Sequence, residues 1–348
     1  MKLCISVLPL LIWPLVSNHA CLGQAVSAST AAFPHVAETP SSNSSIEHWD
    51  VLPLSGNSLQ ADKPLLGEKD TFPTFTRELI RVQWRRDDPI DLYVIRPVGA
   101  SRPPVALFLY GYPSDTDRFL NNAFCATLTR NGMAAIGFVS ALTGPRYHDR
   151  PMKEWFVSQL AESLASSVHD VQMILNYLST RGDLDMDHVG MFGQGSGGTI
   201  AILAAGVDPR IKALDLMAPW GDWPDWVAAS PQIPENERAN YLKPDFLSSI
   251  APLDPVRWLP LLKPRSVRLQ EPLFSNAIPE SVRGRLEAAL PADAEIIRYK
   301  DSKEYIDKVT AEGKMLDWLH GKLQPAHRET GSAGSRLRTQ TRMIVAND

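Results

Sequence analysis

The chain has 348 residues, 44% of them hydrophobic, and 35 Lys and Arg against 39 Asp and Glu leave a net charge of −4. That length suffices for one large α/β domain with a sizeable core. The mild acidity, with no basic stripe interleaved with aromatics, argues against a nucleic-acid partner.

The chain opens on Lys2 and an apolar run over residues 3–16, followed by small-residue sites at Gly23-Gln24-Ala25 and Val26-Ser27-Ala28. This is the pattern of a secretory signal peptide over residues 1–25, so the protein is expected to be exported, periplasmic or secreted, with no stable membrane span after cleavage. The run is short for a span and is broken by Pro9 and Pro14. A retained signal anchor and a lipoprotein cleaved before Cys21 are the alternatives. Cleavage leaves Cys125 alone among the three cysteines, so no intramolecular disulfide is expected, and its helical setting marks it as a small buried hydrophobe. Residues 26–68 are rich in Ser, Ala, Pro and Asn and read as a flexible linker. Within them, residues 47–54 are candidates for packing on the domain.

The folded domain is expected over residues 69–323. Residues 75–84 alternate as a strand, Arg86-Asp87-Asp88-Pro89 is a turn, and residues 90–96 return antiparallel. Val105-Ala106-Leu107-Phe108-Leu109 is a continuous apolar run, as in a strand covered on both faces, and it ends at Tyr110-Gly111-Tyr112-Pro113. A helix is predicted over 114–130 and a strand over 134–139. A long amphipathic helix follows over 158–179, with Leu160, Leu164, Val168, Val171, Leu175 and Leu178 on one face. Strands are expected from Val189 and over 211–217, on either side of a helix that starts near Thr199. This alternation predicts a mostly parallel sheet with an antiparallel start and helices on both faces. Residues 219–264, which include Pro219-Trp220-Gly221-Asp222-Trp223-Pro224-Asp225-Trp226, break the rhythm and read as a cap insertion after the sixth strand. Strands over 266–273 and 295–299 and helices over 280–290 and 303–323 complete the domain. Residues 324–348 read as a disordered tail.

The densest signal is Val189-Gly190-Met191-Phe192-Gly193-Gln194-Gly195-Ser196-Gly197-Gly198-Thr199-Ile200-Ala201, a strand, a tight turn and a small-residue helix. Two chemistries use such a turn. One is the nucleophile elbow G-x-S-x-G. The other is the dinucleotide fingerprint G-x-G-x-x-G, which Gly193, Gly195 and Gly198 fit literally, with Asp215 near the spacing of a ribose-binding acid. A dinucleotide-binding unit opens its domain with this turn, whereas here strands and two long helices come first.

The core resembles an α/β hydrolase, on the dienelactone hydrolase and acyl-esterase/peptidase side of that superfamily. The resemblance rests on the antiparallel start, "VALFLYGYPSDTDRF" after the third strand, "VGMFGQGSGGTIAI" at the fifth, the insertion after the sixth, and the turn closed by Ile278-Pro279 after the seventh. It implies the α/β-hydrolase fold and a Ser, acid and His triad. Laid on the family's elbow, however, this chain puts Gly195 at the nucleophile position and Ser196 at the first residue of the helix. The resemblance places the acid at Ser275 or Asn276, and it places the base in Tyr299-Lys300-Asp301-Ser302-Lys303-Glu304-Tyr305, which holds no His. Tyr110 replaces the histidine that ends the third strand in the family.

The carboxyl edge of the sheet is where α/β proteins bind ligands, and it collects Tyr110, Gly111, Tyr112, Arg146, His148, Trp220, Asp222 and Trp223 as candidate pocket residues. The resemblance assigns the oxyanion hole to the backbone N–H groups of Tyr112 and Ser196. A relocated triad would use Ser196 as nucleophile, His148 as base and Asp222 as acid. The bland readings are a helix cap for Ser196, surface ion pairs for His148 and an anchor of the cap for Asp222. His169 and His188 read as a helix-face and a turn residue, no His/Cys/Asp cluster has metal-ligand spacing, and no cofactor is expected. The tryptophans read as cap packing, with sugar or peptide stacking the alternative. The expected function is an exported hydrolase relative, weakly active or inactive, that binds a small ester-like, peptide or sugar-derived ligand. The alternatives are an active esterase or peptidase centred on Ser196 and a nucleotide-binding protein.

Overall fold

The computed structural model of the protein describes residues 47–86, 88–112, 114, 116–142, 156–309 and 316–324. The signal peptide, residues 26–46 of the linker, residues 325–348 of the tail, Arg146 and His148 lie outside the described residues.

Nine strands form one sheet in the order β1-β2-β3-β5-β4-β6-β7-β8-β9. They are β1 (Leu65–Thr71), β2 (Phe75–Val82), β3 (Ile90–Pro97), β4 (Pro104–Leu109), β5 (Ala134–Gly137), β6 (Asp185–Gln194), β7 (Ile211–Met217), β8 (Ser266–Pro272) and β9 (Glu295–Tyr299). β1, β2, β3 and β5 pair antiparallel in sequence, and every pairing from β5 through β4 to β9 is parallel. The helices are α1 (Asn122–Thr129), α2 (Leu160–Ser179), α3 (Ser196–Val207), α4 (Trp223–Ala229), α5 (Glu235–Tyr241), α6 (Pro244–Ile250), α7 (Pro255–Trp258), α8 (Glu280–Ala289), α9 (Ser302–Val309) and α10 (Asp317–Leu323).

Strand alternation sorts the apolar side chains into two cores. Val105, Leu107 and Leu109 of β4 join one core with α2, α3, α8 and the cap, while Ala106 and Phe108 face a second core with α1 and α10. On α2 all six apolar positions of the predicted face are fully buried. Cys125 is buried in the second core, where its thiol donates to the Phe119 carbonyl at 3.1 Å, and burial pushes that thiol up to about 11. Among the described residues no helix is long and apolar enough to cross a membrane.

Three local expectations change. The helix predicted over 114–130 is a 3-10 turn (Asp117–Leu120) followed by α1. Asn121 separates them in extended conformation, and its side chain accepts the Phe124 N–H at 3.0 Å as a cap. The helix predicted over 303–323 is described as two pieces, α9 and α10. The described part of the linker, residues 47–68, is largely exposed but meets the domain at two anchors and through a strand. Leu52 and Leu59 are buried in the core, and Leu65 already belongs to β1.

Polar groups seat that N-terminal segment on α2. The Glu47 carboxylate accepts Nε and one terminal nitrogen, Nη2, of the Arg85 guanidinium and meets His169 Nδ1 at 2.6 Å. Arg85 also donates to Asp170 at 2.5 Å, and Trp84 Nε1 donates to the same carboxylate at 3.0 Å. Gln172 closes the seat through Leu54 N–H and Leu52 C=O, each at 2.8 Å. Burial alone would raise the Glu47 carboxyl, but its bonds to His169 and Arg85 outweigh burial and hold it down at about 2, below an ordinary 4.5. A carboxyl depressed in the folded state contributes stability that is complete above its unfolded value and is lost as pH falls through the folded one. Urea unfolding is therefore expected to show a loss of stability between about pH 4.5 and about pH 2 that flattens in Glu47→Gln. An unchanged acid limb in that variant would remove Glu47 from the account.

Candidate functional site

The β6–α3 turn stands at the carboxyl edge of the sheet. Gly195 occupies its tip with φ 54° and ψ −123°, a conformation that glycine adopts without the cost an L side chain incurs. Its N–H donates to the Met217 carbonyl at 2.9 Å, and helix α3 starts at the next residue. The turn needs small residues for a second reason. A Cβ on Gly197 would lie 2.1 Å from the Leu109 carbonyl oxygen, so the start of α3 packs directly on the end of β4.

Ser196 is fully buried. Its hydroxyl oxygen accepts the Tyr112 N–H at 2.9 Å. The side chain therefore ties the loop after β4 to the helix start, and a backbone donor of the expected oxyanion hole is bonded to the protein's own hydroxyl. Gly111 makes this approach possible, because a Cβ there would meet the Gln194 carbonyl oxygen at 2.8 Å.

Trp220 lies over the tip of the turn. A Cβ built on Gly195 would find the Trp220 indole nitrogen at 3.4 Å. The Trp220 carbonyl accepts the Thr199 hydroxyl at 2.7 Å, and its ring stacks on Trp226 at 4.8 Å between centroids. Trp223 packs edge-on against Trp226 at 5.7 Å. All three rings are 1% exposed or less, so they fill the cap's core and offer no open platform for a sugar.

Asp222 sits in the left-handed region at φ 51°, and its carboxylate pairs with Arg285 Nε on α8 at 3.1 Å. Burial pushes that carboxyl up, against the pull of Arg285. No hydrogen bond joins Asp222 to Ser196 among the described residues. The cap is pinned instead by Asp254, whose carboxylate accepts the N–H groups of Asp222 at 2.9 Å, Trp223 at 3.1 Å and Val256 at 3.0 Å. Sequence reasoning missed Asp254, although an Asp directly before Pro255 is a helix-start signal.

Tyr110, expected in the pocket, faces the other way. It is buried among Phe119 and Phe192 in the α1-side core, with the Arg118 guanidinium 3.5 Å from its ring centroid. The reason is strand alternation, which sends Tyr110 to the face of Phe108. Asp215, the ribose-binding candidate, lies inside β7, where Arg268 Nε holds it at 2.9 Å and Gln270 Nε2 at 2.7 Å. His169 meets Glu47 on α2, and His188 meets Asp185 at 2.7 Å. Among the described residues no group of three or more His, Cys, Asp or Glu could hold a metal ion. Ser275, one of the two positions the resemblance assigns to the acid, is buried with its hydroxyl accepting the Ala277 N–H at 3.1 Å.

No family model matches the sequence, and neither does any curated protein. Solved structures do resemble it in fold. An acetyl xylan esterase from Paenibacillus sp. R4 superimposes with a TM-score of 0.60 at 16% identity, covering 79% of this chain and 93% of that one. Acetyl xylan esterase 1 from Thermoanaerobacterium sp. JW/SL YS485 gives a TM-score of 0.55 at 13% identity over 73% and 86% of the two chains. An S-formylglutathione hydrolase from Agrobacterium tumefaciens gives 0.54 at 13% identity over 74% and 99%. At these identities the likeness is one of fold.

Proposed function

We propose that this chain, which has the α/β-hydrolase fold, binds a small ester-like, peptide or sugar-derived ligand at the carboxyl edge of its sheet and carries little or no serine-dependent turnover. One observation carries the reading. Gly195 holds the tip of the elbow, while the hydroxyl of the next residue, Ser196, is buried and bonded to Tyr112 N–H. Covalent catalysis needs a side chain that can reach the carbonyl, and glycine has none. The same hydrogen bond occupies an amide that would otherwise stabilise an oxyanion.

The esterases among the fold's relatives keep a second reading in view, an active enzyme using Ser196, His148 and Asp222. It requires the Ser196 hydroxyl to leave Tyr112 and Asp222 to leave Arg285. The nucleotide reading has less support, because Asp215 is inside the sheet and ion-paired. Export belongs to the proposal on the strength of the leader pattern in residues 1–25.

A fluorophosphonate probe tests the central claim. The expected result is no stoichiometric labelling of the wild-type protein and none gained in Gly195→Ser, where φ 54° strains a side chain and residues 299–305 offer no His as base. Stoichiometric labelling that disappears in Ser196→Ala would overturn the proposal in favour of the active enzyme.

A further inference from the structure

On the α1 side of the carboxyl edge, the ends of β4, β8 and β9 carry an aromatic group that the elbow does not use. Tyr110 directly follows β4, Leu273 and Phe274 follow β8, and Tyr299 ends β9. Tyr305 of α9 joins them. Its ring stands edge-on to Tyr299 at 5.2 Å between centroids and lies 6.4 Å from Phe274. Tyr305 is partly exposed, and Phe274 and Leu273 are 39% and 45% exposed, so part of this apolar surface faces solvent. Residues 299–305, where the resemblance places the base, thus offer Tyr305 and no His.

A cation stands over this group with no acid to hold it. The Arg118 guanidinium lies 3.5 Å from the Tyr110 ring centroid, in stacking range. Its Nε is buried with no hydrogen-bond partner, and no hydrogen bond or ion pair joins its terminal nitrogens to any of the described residues. The Tyr110 hydroxyl is buried and unmet as well, so the guanidinium meets the ring and not the oxygen. The side chain of Arg118 is nonetheless partly exposed. Arg77, Arg81 and Arg85, on the neighbouring strand and its turn, each hold a carboxylate, from Asp70, Asp91 and Glu47. Asp215 and Glu304 are engaged by Arg268 and Lys308. Burial, and then Tyr110 and Tyr299, push the Tyr305 phenol up against the pull of Arg118, so Tyr305 stays neutral and supplies no counter-charge.

The segment that carries Arg118 is held firmly. Arg77 Nη1 donates to the Phe119 carbonyl at 3.1 Å, the Leu120 carbonyl at 3.0 Å and Asn122 Oδ1 at 3.2 Å. The Cys125 thiol donates to the same Phe119 carbonyl. The Phe119 ring rests on Gly137, where a Cβ would lie 2.2 Å from it. A charge on a segment so fixed is presented without further ordering, which favours binding.

We infer that this side of the carboxyl edge binds the carboxylate of a flat apolar acid, with the two terminal nitrogens of Arg118 donating to its oxygens and its body lying against Tyr305. Buried Nε leaves those two nitrogens as the donors, and a guanidinium fork matches a planar carboxylate. A longer apolar body runs on toward Phe274 and Leu273. The inference deepens the ligand reading above and rests on it only for the place of the ligand, at the carboxyl edge. If Arg118 served only to cover Tyr110, the edge would show no preference for an anion.

The test is ligand-observed fluorine NMR on the full chain, with 4-fluorobenzoate as probe and 4-fluorobenzamide as its neutral counterpart. A Kd on the order of 1 mM is expected for the acid, about tenfold tighter than for the amide. Raising salt from about 50 to about 500 mM should weaken the acid about threefold and leave the amide unchanged. Arg118→Gln should bring the acid down to the affinity of the amide. Tyr305→Leu should weaken both compounds and keep the preference for the acid. Because Arg118→Gln could misfold, its urea midpoint is measured alongside, and the wild-type comparison of acid with amide is a test in its own right. Equal affinities in the wild type, no saturable binding of the acid at about 20 mM, or a preference that survives in folded Arg118→Gln overturns the inference. Equal affinities would leave the ligand reading intact, whereas fluorophosphonate labelling of Ser196 would overturn the inert elbow and leave the preference for an acid standing.

Discussion

Trp220→Ala is expected to lower the unfolding free energy by about 3–5 kcal/mol, read from urea midpoints at constant slope. The indole is 1% exposed, stacks on Trp226 and covers the tip of the elbow. Its carbonyl is held independently by Thr199, so the loss falls on the ring and not on the backbone of the turn. Truncation exposes Gly195 without adding a nucleophile, and no gain in ester hydrolysis is expected. A loss below about 1 kcal/mol, the level of an ordinary surface change, would mean that the ring leaves its seat readily and that the cap opens over the elbow.

The second large effect lies inside the sheet. Asp215 is completely buried, and Arg268 reaches it with Nε at 2.9 Å and a terminal nitrogen at 2.5 Å. Gln270 adds a bond at 2.7 Å and is itself fixed by the Tyr299 hydroxyl at 2.5 Å. The Arg268 guanidinium also lies 4.9 Å from the Trp318 ring centroid. Arg268→Met removes one partner and leaves a carboxylate with no counter-charge in the interior, which costs about 3–5 kcal/mol. Replacing both charges, Asp215→Leu with Arg268→Met, should recover most of that loss, because a buried pair contributes little net stability once its desolvation is counted. If the double variant is no more stable than the single one, the network supports the register of β7 on β8 through more than its charge.

Much of this architecture is legible in the sequence because its signals are local. The apolar run 105–109 and the spacing of Leu160 to Leu178 each report a burial pattern that needs no knowledge of the partner. Strand β1 was not legible for the opposite reason. Leu65–Thr71 is an edge strand that is exposed on both faces, so it shows no alternation, and backbone pairing with β2 alone defines it. Residues 47–54 could be singled out for packing, but their partners were hidden, since Glu47 lies 122 positions from His169 and composition reports nothing about such a contact. Asp254 belongs to the same class, being a polar residue whose role depends on which buried groups face it.

At the elbow the division is sharper. The sequence by itself determined that a glycine-rich turn joins a buried strand to a small-residue helix, because steric demands on the backbone select residue types locally, whereas the place of Gly195 at the nucleophile position is what the resemblance to the family implies. Only the tertiary structure decided what the adjacent serine does. Its hydroxyl faces the Tyr112 amide because the loop after β4 passes within hydrogen-bond reach of the start of α3, across 84 positions of chain. A hydroxyl that can cap, bridge or attack takes its role from whichever group the fold brings to it.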